Sequence, residues 1–173
     1  LKRLASTDEL TGLPNRRSFL KALEREQQRC SRYHTVYTVL LLDIDDFKKI
    51  NDNYGHAVGD IVLRQLGTIL QRNIRKVDIP CRYGGDEFLV LMPDTRMEAG
   101  EEVKKRIEKT LSELAEEGVP PFTVSIGLTE GNEGNFEEIL KKLDLDMYRE
   151  KMNKPEPIYT NFTENLEELI GEE

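Results

Sequence analysis

Asp86 and Glu87 follow two adjacent glycines in the run Arg82-Tyr83-Gly84-Gly85-Asp86-Glu87-Phe88, and Asp43-Ile44-Asp45-Asp46 follows the apolar run Val39-Leu40-Leu41-Leu42. Both patterns deliver carboxylates to the rim of a sheet. A short apolar run that stops at acids reads as a buried strand whose end emerges into solvent. Paired glycines between two strand-like runs permit the positive backbone dihedrals of a tight hairpin, and they leave no side chain over the turn to obstruct a ligand. Hard cations take oxygen ligands, usually one or two carboxylates plus substrate phosphates, so Asp43 and Asp86 brought together would make a magnesium-triphosphate site. Either acidic patch alone is what a solvated turn looks like.

The 173 residues suit one domain with a proper core, and nothing in their composition suggests disorder. Lys and Arg number 25 against 33 Asp and Glu, a net charge of −8, which disfavours a nucleic acid polymer as partner. A small nucleotide neutralised by magnesium remains compatible. Cys30 and Cys81 lack the paired spacing of a disulfide framework or a zinc site, so two buried thiols in a reducing cytosol are expected. No membrane-length apolar run and no signal peptide are present. The chain opens on Leu1, as expected of a piece of a longer protein with its sensory or receiver module upstream. A cytoplasmic location follows for this segment, with membrane anchoring of the whole protein left open.

The elements that must position the acids can be read in order. Residues 1–9 read as the end of a linker helix, 10–160 as the domain proper and 161–173 as a tail. Asn15 caps a helix to about Arg32 carrying Phe19, Leu20 and Leu23. A strand over 35–43 leads to a short helix through Phe47 and Ile50, a loop at Asn51–His56, and a long helix over 58–74. That helix presents Ile61, Val62, Leu66, Ile69 and Leu70. The glycine hairpin comes next. Pro93-Asp94-Thr95 then caps a charged helix to about Glu117, with Val103, Ile107, Leu111 and Leu114 inward. A strand over 122–128, a helix over 136–152 and a short strand at Ile158-Tyr159 complete the chain. The expected fold is therefore α/β (α+β), with a mixed, mostly antiparallel sheet flanked by helices.

Together these blocks resemble the GGDEF-domain diguanylate cyclases, which condense two GTP into cyclic di-GMP and release pyrophosphate. Gly84-Gly85-Asp86-Glu87-Phe88 matches the signature. Asp8-Glu9-Leu10-Thr11-Gly12-Leu13-Pro14-Asn15-Arg16-Arg17 resembles the opening motif, and Asp43-Ile44-Asp45-Asp46-Phe47-Lys48-Lys49-Ile50-Asn51-Asp52 the strand-end motif. Gly55-His56 with Gly59-Asp60 resembles the guanine-side loop. The resemblance covers about residues 5–152 and implies a palm-like nucleotidyl cyclase architecture. It further implies that Asp43, the Ile44 carbonyl and Asp86 hold magnesium, with manganese as an alternative. By the same resemblance, Phe47, Lys48, Asn51, His56, Asp60, Gly84, Gly85 and Lys151 bind the nucleotide, with Asn51 and Asp60 reading guanine and Lys48 and Lys151 on phosphates. Asp86 or Glu87 would take the 3′-hydroxyl proton. Taken singly, Asn51, Asp60, Lys48 and His56 have ordinary readings as turn, cap and surface residues. Arg16 and Arg17 are expected to be structural, pairing with an acid such as Asp8.

One such site per chain implies a homodimer, each copy presenting one GTP. Arg75-Lys76-Val77-Asp78 resembles the family's RxxD inhibitory product site, joined by Arg106; an ion pair at a helix end is the ordinary alternative. The C-terminal run Glu150-Lys151-Met152-Asn153-Lys154-Pro155 departs from the family, with Pro155 where an arginine usually stands. A domain that binds cyclic di-GMP or GTP without turnover is the second reading. An unrelated nucleotidyl transferase is the third, disfavoured by the guanine-reading positions. Neither a P-loop nor a dinucleotide fingerprint occurs.

Overall fold

Strand β1, Tyr37–Ile44, is buried along its whole length, and the fold is built around it. The computed structural model describes residues 5–114, 118–132 and 136–153. The expected strand at Ile158-Tyr159 and the tail 161–173 lie outside the described residues. β2 (Ile79–Arg82), β3 (Glu87–Pro93) and β4 (Val124–Gly131) complete a sheet of order β2-β3-β1-β4. All its ladders are antiparallel.

Because β1 is central it has no solvent face, which is why its sequence is a continuous apolar run rather than an alternation. Tyr37, Val39 and Leu41 point to one layer, with Phe19, Leu23, Ile139, Leu143 and Met147. Leu40, Leu42 and Ile44 point to the other, with Ile50, Leu66, Leu70 and Ile107. Helix α1 (Arg16–Tyr33) starts at Asn15, whose side chain accepts from the Ser18 N–H at 3.0 Å, as its sequence predicts. α2 (Phe47–Tyr54) continues through Asn51–Tyr54, where a loop was expected, and only Gly55, at φ +88°, separates it from α3 (His56–Asn73). α3 buries Val62, Leu63, Leu66, Ile69 and Leu70. Ile61 is 36% exposed, contrary to expectation. At 100° per residue it falls outside the inward stripe, and Leu63 takes its place.

α4 (Met97–Ser112) begins at Arg96 without a side-chain cap, correcting the expected Pro93-Asp94-Thr95 cap. The Thr95 hydroxyl instead donates to the Pro93 carbonyl at 2.9 Å. α4 is also shorter than expected; of its predicted apolar seam, Val103 and Ile107 are buried and Leu111 and Leu114 pack at the margin. Residues 5–9 form no helix, contrary to the expected linker-helix tail; Thr7 bridges to Pro14 instead. Cys30 and Cys81 are free, buried thiols.

α5 (Phe136–Met152) lies over β4 at an edge of the sheet. Gly127 permits that approach, since a Cβ there would lie 2.7 Å from the Leu143 carbonyl oxygen. An edge strand leaves backbone donors open. Here Asp146 accepts from the Leu128 N–H at 3.0 Å and Glu150 from the Ile126 N–H at 3.1 Å. Lys104 of α4 ties to Glu150 at 2.7 Å. Among the described residues no helix is long and apolar enough to cross a membrane.

Candidate active site

The β2–β3 turn is held from outside. Tyr83 and Gly84 both donate their N–H to the Glu87 carbonyl, at 2.8 and 3.2 Å. The Arg82 guanidinium donates to the Gly85 carbonyl at 3.2 and 2.9 Å and to Asp8 at 3.2 Å. Asp8 in turn accepts from the Thr11 N–H and hydroxyl, at 2.8 and 2.7 Å. Burial opposes its ionisation, but the Thr11 hydrogen bonds and the Arg82 charge outweigh that and hold its carboxyl below the usual range. The partner of Asp8 is thus Arg82, not Arg16 or Arg17, and Arg16 lies over the Tyr83 ring at 4.6 Å.

Of the two jobs expected of the glycines, positive dihedrals and clearance, the structure uses only the second. Among the described residues the positive-φ glycines are Gly12, Gly55 and Gly118, so neither Gly84 nor Gly85 uses the left-handed region. With Arg82 bracing the turn, no left-handed residue is required. A Cβ at Gly85 would meet nothing within 4 Å, and one at Gly84 would meet only Glu87, at 3.3 Å. What remains is the clearance above the turn, which any larger residue would fill.

The two acidic patches converge. Asp43 pairs with Glu87 across the β1–β3 ladder, so both side chains rise on the layer of α1 and α5. The Ile44 N–H donates to the Asp86 carbonyl at 3.3 Å. A strand residue's N–H and C=O point to the same side, so the Ile44 carbonyl faces the hairpin as well. Burial, then a hydrogen bond to Asp43 and its negative charge, push Asp86 up to about 7. Glu87 is raised too, by burial and then by Asp43. Lys151 of α5 donates to Asp43 Oδ2. Burial works against the Lys151 charge, but the bond to Asp43 and the charges of Asp43, Asp45 and Asp86 prevail and raise its affinity for the proton.

Asp43 Oδ1 is buried without a hydrogen-bond donor. The Asp86 carboxyl beside it could donate only by holding a proton, which is the arrangement its raised pKa describes. Crowded carboxylates with an orphaned oxygen fit a hard cation. Among the described residues no three His, Cys, Asp or Glu side chains converge as a ligand cage, so the Ile44 carbonyl and phosphate oxygens would have to complete the shell.

The residues expected to read guanine lie at the α2–α3 corner. A Cβ at Gly59 would lie 1.9 Å from Asn51 Oδ1 and 3.3 Å from the Phe47 ring, so Gly59 is what lets the Asn51 amide lie against α3, one residue before Asp60. Lys48 and His56 are exposed on the same two helices.

Arg75, Asp78 and Arg106 sit at the other end of β3. Asp78 is buried and accepts from the Arg75 N–H at 2.7 Å and from its guanidinium at 3.0 and 3.3 Å. Arg75 also donates to the Pro93 carbonyl at 2.7 Å and the Thr95 hydroxyl at 2.9 Å. Arg106 donates to the Asn73 carbonyl at 2.6 Å, closing the end of α3 two residues before Arg75. The three are brought together, apart from the acids. Pro155 lies outside the described residues. Two contributors could not be read in the sequence. The Arg82 clamp on Gly85 depends on a turn geometry that composition does not reveal, and Asp45 is buried against Thr123 and Ser125.

Residues 5–156 match the family model described as diguanylate cyclase, GGDEF domain. The response regulator PleD of Caulobacter vibrioides is 41% identical over 161 residues, covering 86% of this chain and 34% of PleD. Diguanylate cyclase DgcM of Escherichia coli is 40% identical over 153 residues, covering 87% of this chain and 37% of DgcM. The chain thus spans about a third of the length of these curated relatives. The crystal structure of the GGDEF domain of DgcB from Caulobacter crescentus in complex with c-di-GMP superposes with a TM-score of 0.79 at 29% identity, covering 88% of this chain and 90% of that one. With the signature hairpin, the converging acids and the sheet order in place, the chain belongs to the diguanylate cyclase GGDEF-domain family.

Proposed function

We propose that this domain is a diguanylate cyclase, joining two GTP into cyclic di-GMP with release of pyrophosphate. The observation that carries the reading is the Asp43–Asp86 contact with its donorless Oδ1, since a buried and a half-buried carboxylate pressed together are costly, even with Lys151 on Asp43 Oδ2, unless a further cation joins them. Asp43, Asp86 and the Ile44 carbonyl would hold magnesium or manganese. When bound, that ion neutralises triphosphate charge and polarises the phosphoryl group under attack. Lys151 and Lys48 bind phosphate oxygens, and the open turn at Gly84-Gly85 lies under the nucleotide. Asn51 and Asp60 accept from the N1–H and amino donors of guanine, which adenine does not offer. Glu87, lifted toward neutrality and on the same face as Asp43, takes the 3′-hydroxyl proton.

Each chain presents one GTP, so a homodimer supplies the second half-site. Product binding at Arg75, Asp78 and Arg106 slows the reaction, and these arginines suit phosphate and guanine alike. The domain works in the cytoplasm. Incubation with GTP and magnesium, followed by chromatography for cyclic di-GMP, tests the reading. Asp86→Ala should form none; its appearance at the wild-type rate would overturn the assignment.

A further inference from the structure

We infer that Asp45 is a positioning residue for the cation site, a fixed carboxylate that holds Asp43 and the Ile44 carbonyl at the hairpin. The inference rests on the cyclase reading above. It begins from where Asp45 goes. The residue stands two places beyond Asp43, just past the end of β1, and a third acid at an acidic rim would ordinarily be expected to face solvent or a metal. It is 8% exposed instead. Its Oδ2 accepts from the Thr123 hydroxyl and its Oδ1 from the Ser125 hydroxyl, each at 2.6 Å. Its N–H donates to the Thr123 carbonyl at 2.9 Å.

Hydroxyl-to-carboxylate bonds of this length are charge-assisted and among the stronger hydrogen bonds a side chain makes. Both carboxylate oxygens are engaged, one by Ser125 of β4 and the other by Thr123 just before it, so Asp45 is not disposed to ligate. What it fixes is the chain on either side. Before it lies Ile44, whose N–H reaches the Asp86 carbonyl and whose ladder partner is Val124. After it comes Asp46, at φ +52°, a left-handed residue that turns the chain into α2. A non-glycine residue in that region persists only when its surroundings over-determine it. Asp45, bonded through both oxygens and its N–H, is the fixed residue immediately before it. Ser125, fully buried, is also the ladder partner of Asp43, so one residue of β4 registers the strand end and holds the brace. The brace therefore sets the spacing between Asp43, the Ile44 carbonyl and Asp86, the oxygens that would meet the ion.

The test is Mn²⁺ binding in the presence of a non-hydrolysable GTP analogue, read from the free-Mn²⁺ electron paramagnetic resonance signal on the full chain, so that turnover is not required. Asp45→Asn keeps the shape while removing the charge and one acceptor. It should weaken Mn²⁺ binding about tenfold, as loss of an orienting partner does at metal sites. Ser125→Ala should weaken it less, in the same direction, and decides the matter if Asp45→Asn does not fold. Thr38→Val is the control. It removes another buried hydroxyl bond, to the Thr95 carbonyl at 2.8 Å, from the opposite face of the same strand. It should lower thermal stability and leave Mn²⁺ binding unchanged. Wild-type affinity in both Asp45→Asn and Ser125→Ala, or equal weakening by Thr38→Val, would overturn the positioning role while leaving the cyclase reading intact. Failure of the wild-type chain to bind Mn²⁺ with the analogue would overturn both.

Discussion

The two ends of β3 handle buried carboxylates in opposite ways. At Glu87 the strand opens onto Asp43 and Asp86, one with an oxygen that has no donor and the other pushed toward neutrality. At Pro93, roughly 20 Å along at the usual rise of a strand, Asp78 is enclosed by a backbone N–H and a guanidinium, with every bond local to Arg75. The first end is frustrated: Lys151 bonds Asp43 Oδ2, yet Oδ1 has no donor and Asp86 presses against the same carboxylate. The second is satisfied and adds to the rigidity of the fold. A ligand that brings a cation relieves the first, whereas a ligand at the second must use the outward faces of Arg75 and Arg106, leaving the Asp78 bonds in place.

The sharpest way to break this contrast is to remove one acid from each end. Asp86→Ala should lower cyclase turnover by on the order of 10³-fold or more, as loss of charge stabilisation at a reacting centre does. It should also raise the metal-free melting temperature at neutral pH, because it removes a repelling neighbour of Asp43. Asp78→Ala should do the reverse. By leaving the Arg75 donors without their buried acceptor it should cost about 1–3 kcal/mol in thermal unfolding, with Mn²⁺ binding unchanged. If both substitutions destabilised alike, the distinction between the two ends would fall.

A pH series sharpens the same point. Asp86 moves from 3.8 to about 7 on folding, so between those values the folded chain holds a proton that the unfolded chain has lost. Stability without metal should therefore fall as pH rises through that window and level off above it. Divalent metal should flatten the slope, and Asp86→Asn should reduce it to the share carried by Glu87; both are measurable by thermal melts across the range. A smaller effect is expected at the far end. Arg75→Ala should keep the progress curve linear as product accumulates, and a curve that still bends would remove the inhibitory role. Smallest is Lys151→Gln, which should raise the KM for GTP by about threefold to tenfold through loss of a partly exposed phosphate contact.

Legibility in the sequence followed the range of each interaction. The Asn15 cap, the apolar run of β1 and the α5 span 136–152 were readable because their causes lie within a few residues. Asp43 and Asp86 were readable as rim acids, but their contact required the β1–β3 register. The turn at Gly84-Gly85 misled because glycine permits positive φ without demanding it, and the Arg82 guanidinium, three residues before Gly85, bonds its carbonyl in a geometry that residue type alone does not reveal. The loop expected at Asn51–His56 failed for a related reason. Its turn-forming residues are carried as helix by the packing of Phe47 and Ile50 beneath them. Asp45 with Thr123 and Ser125 joins residues 78 and 80 apart, and no local pattern foretells that.

The two carboxylates of α5 that cover the free edge of β4 act together as a vernier. Asp146 and Glu150 are one helical step of four residues apart, about 6 Å along the axis. Leu128 and Ile126, whose N–H groups they accept, are two strand residues apart, about 6.8 Å. The two scales coincide at this one setting, so a shift of the helix by a single residue would break both matches at once. Lys151 follows Glu150 immediately, and its arrival at Asp43 is thereby dictated by the edge of the sheet, at a tolerance finer than the length of its own side chain.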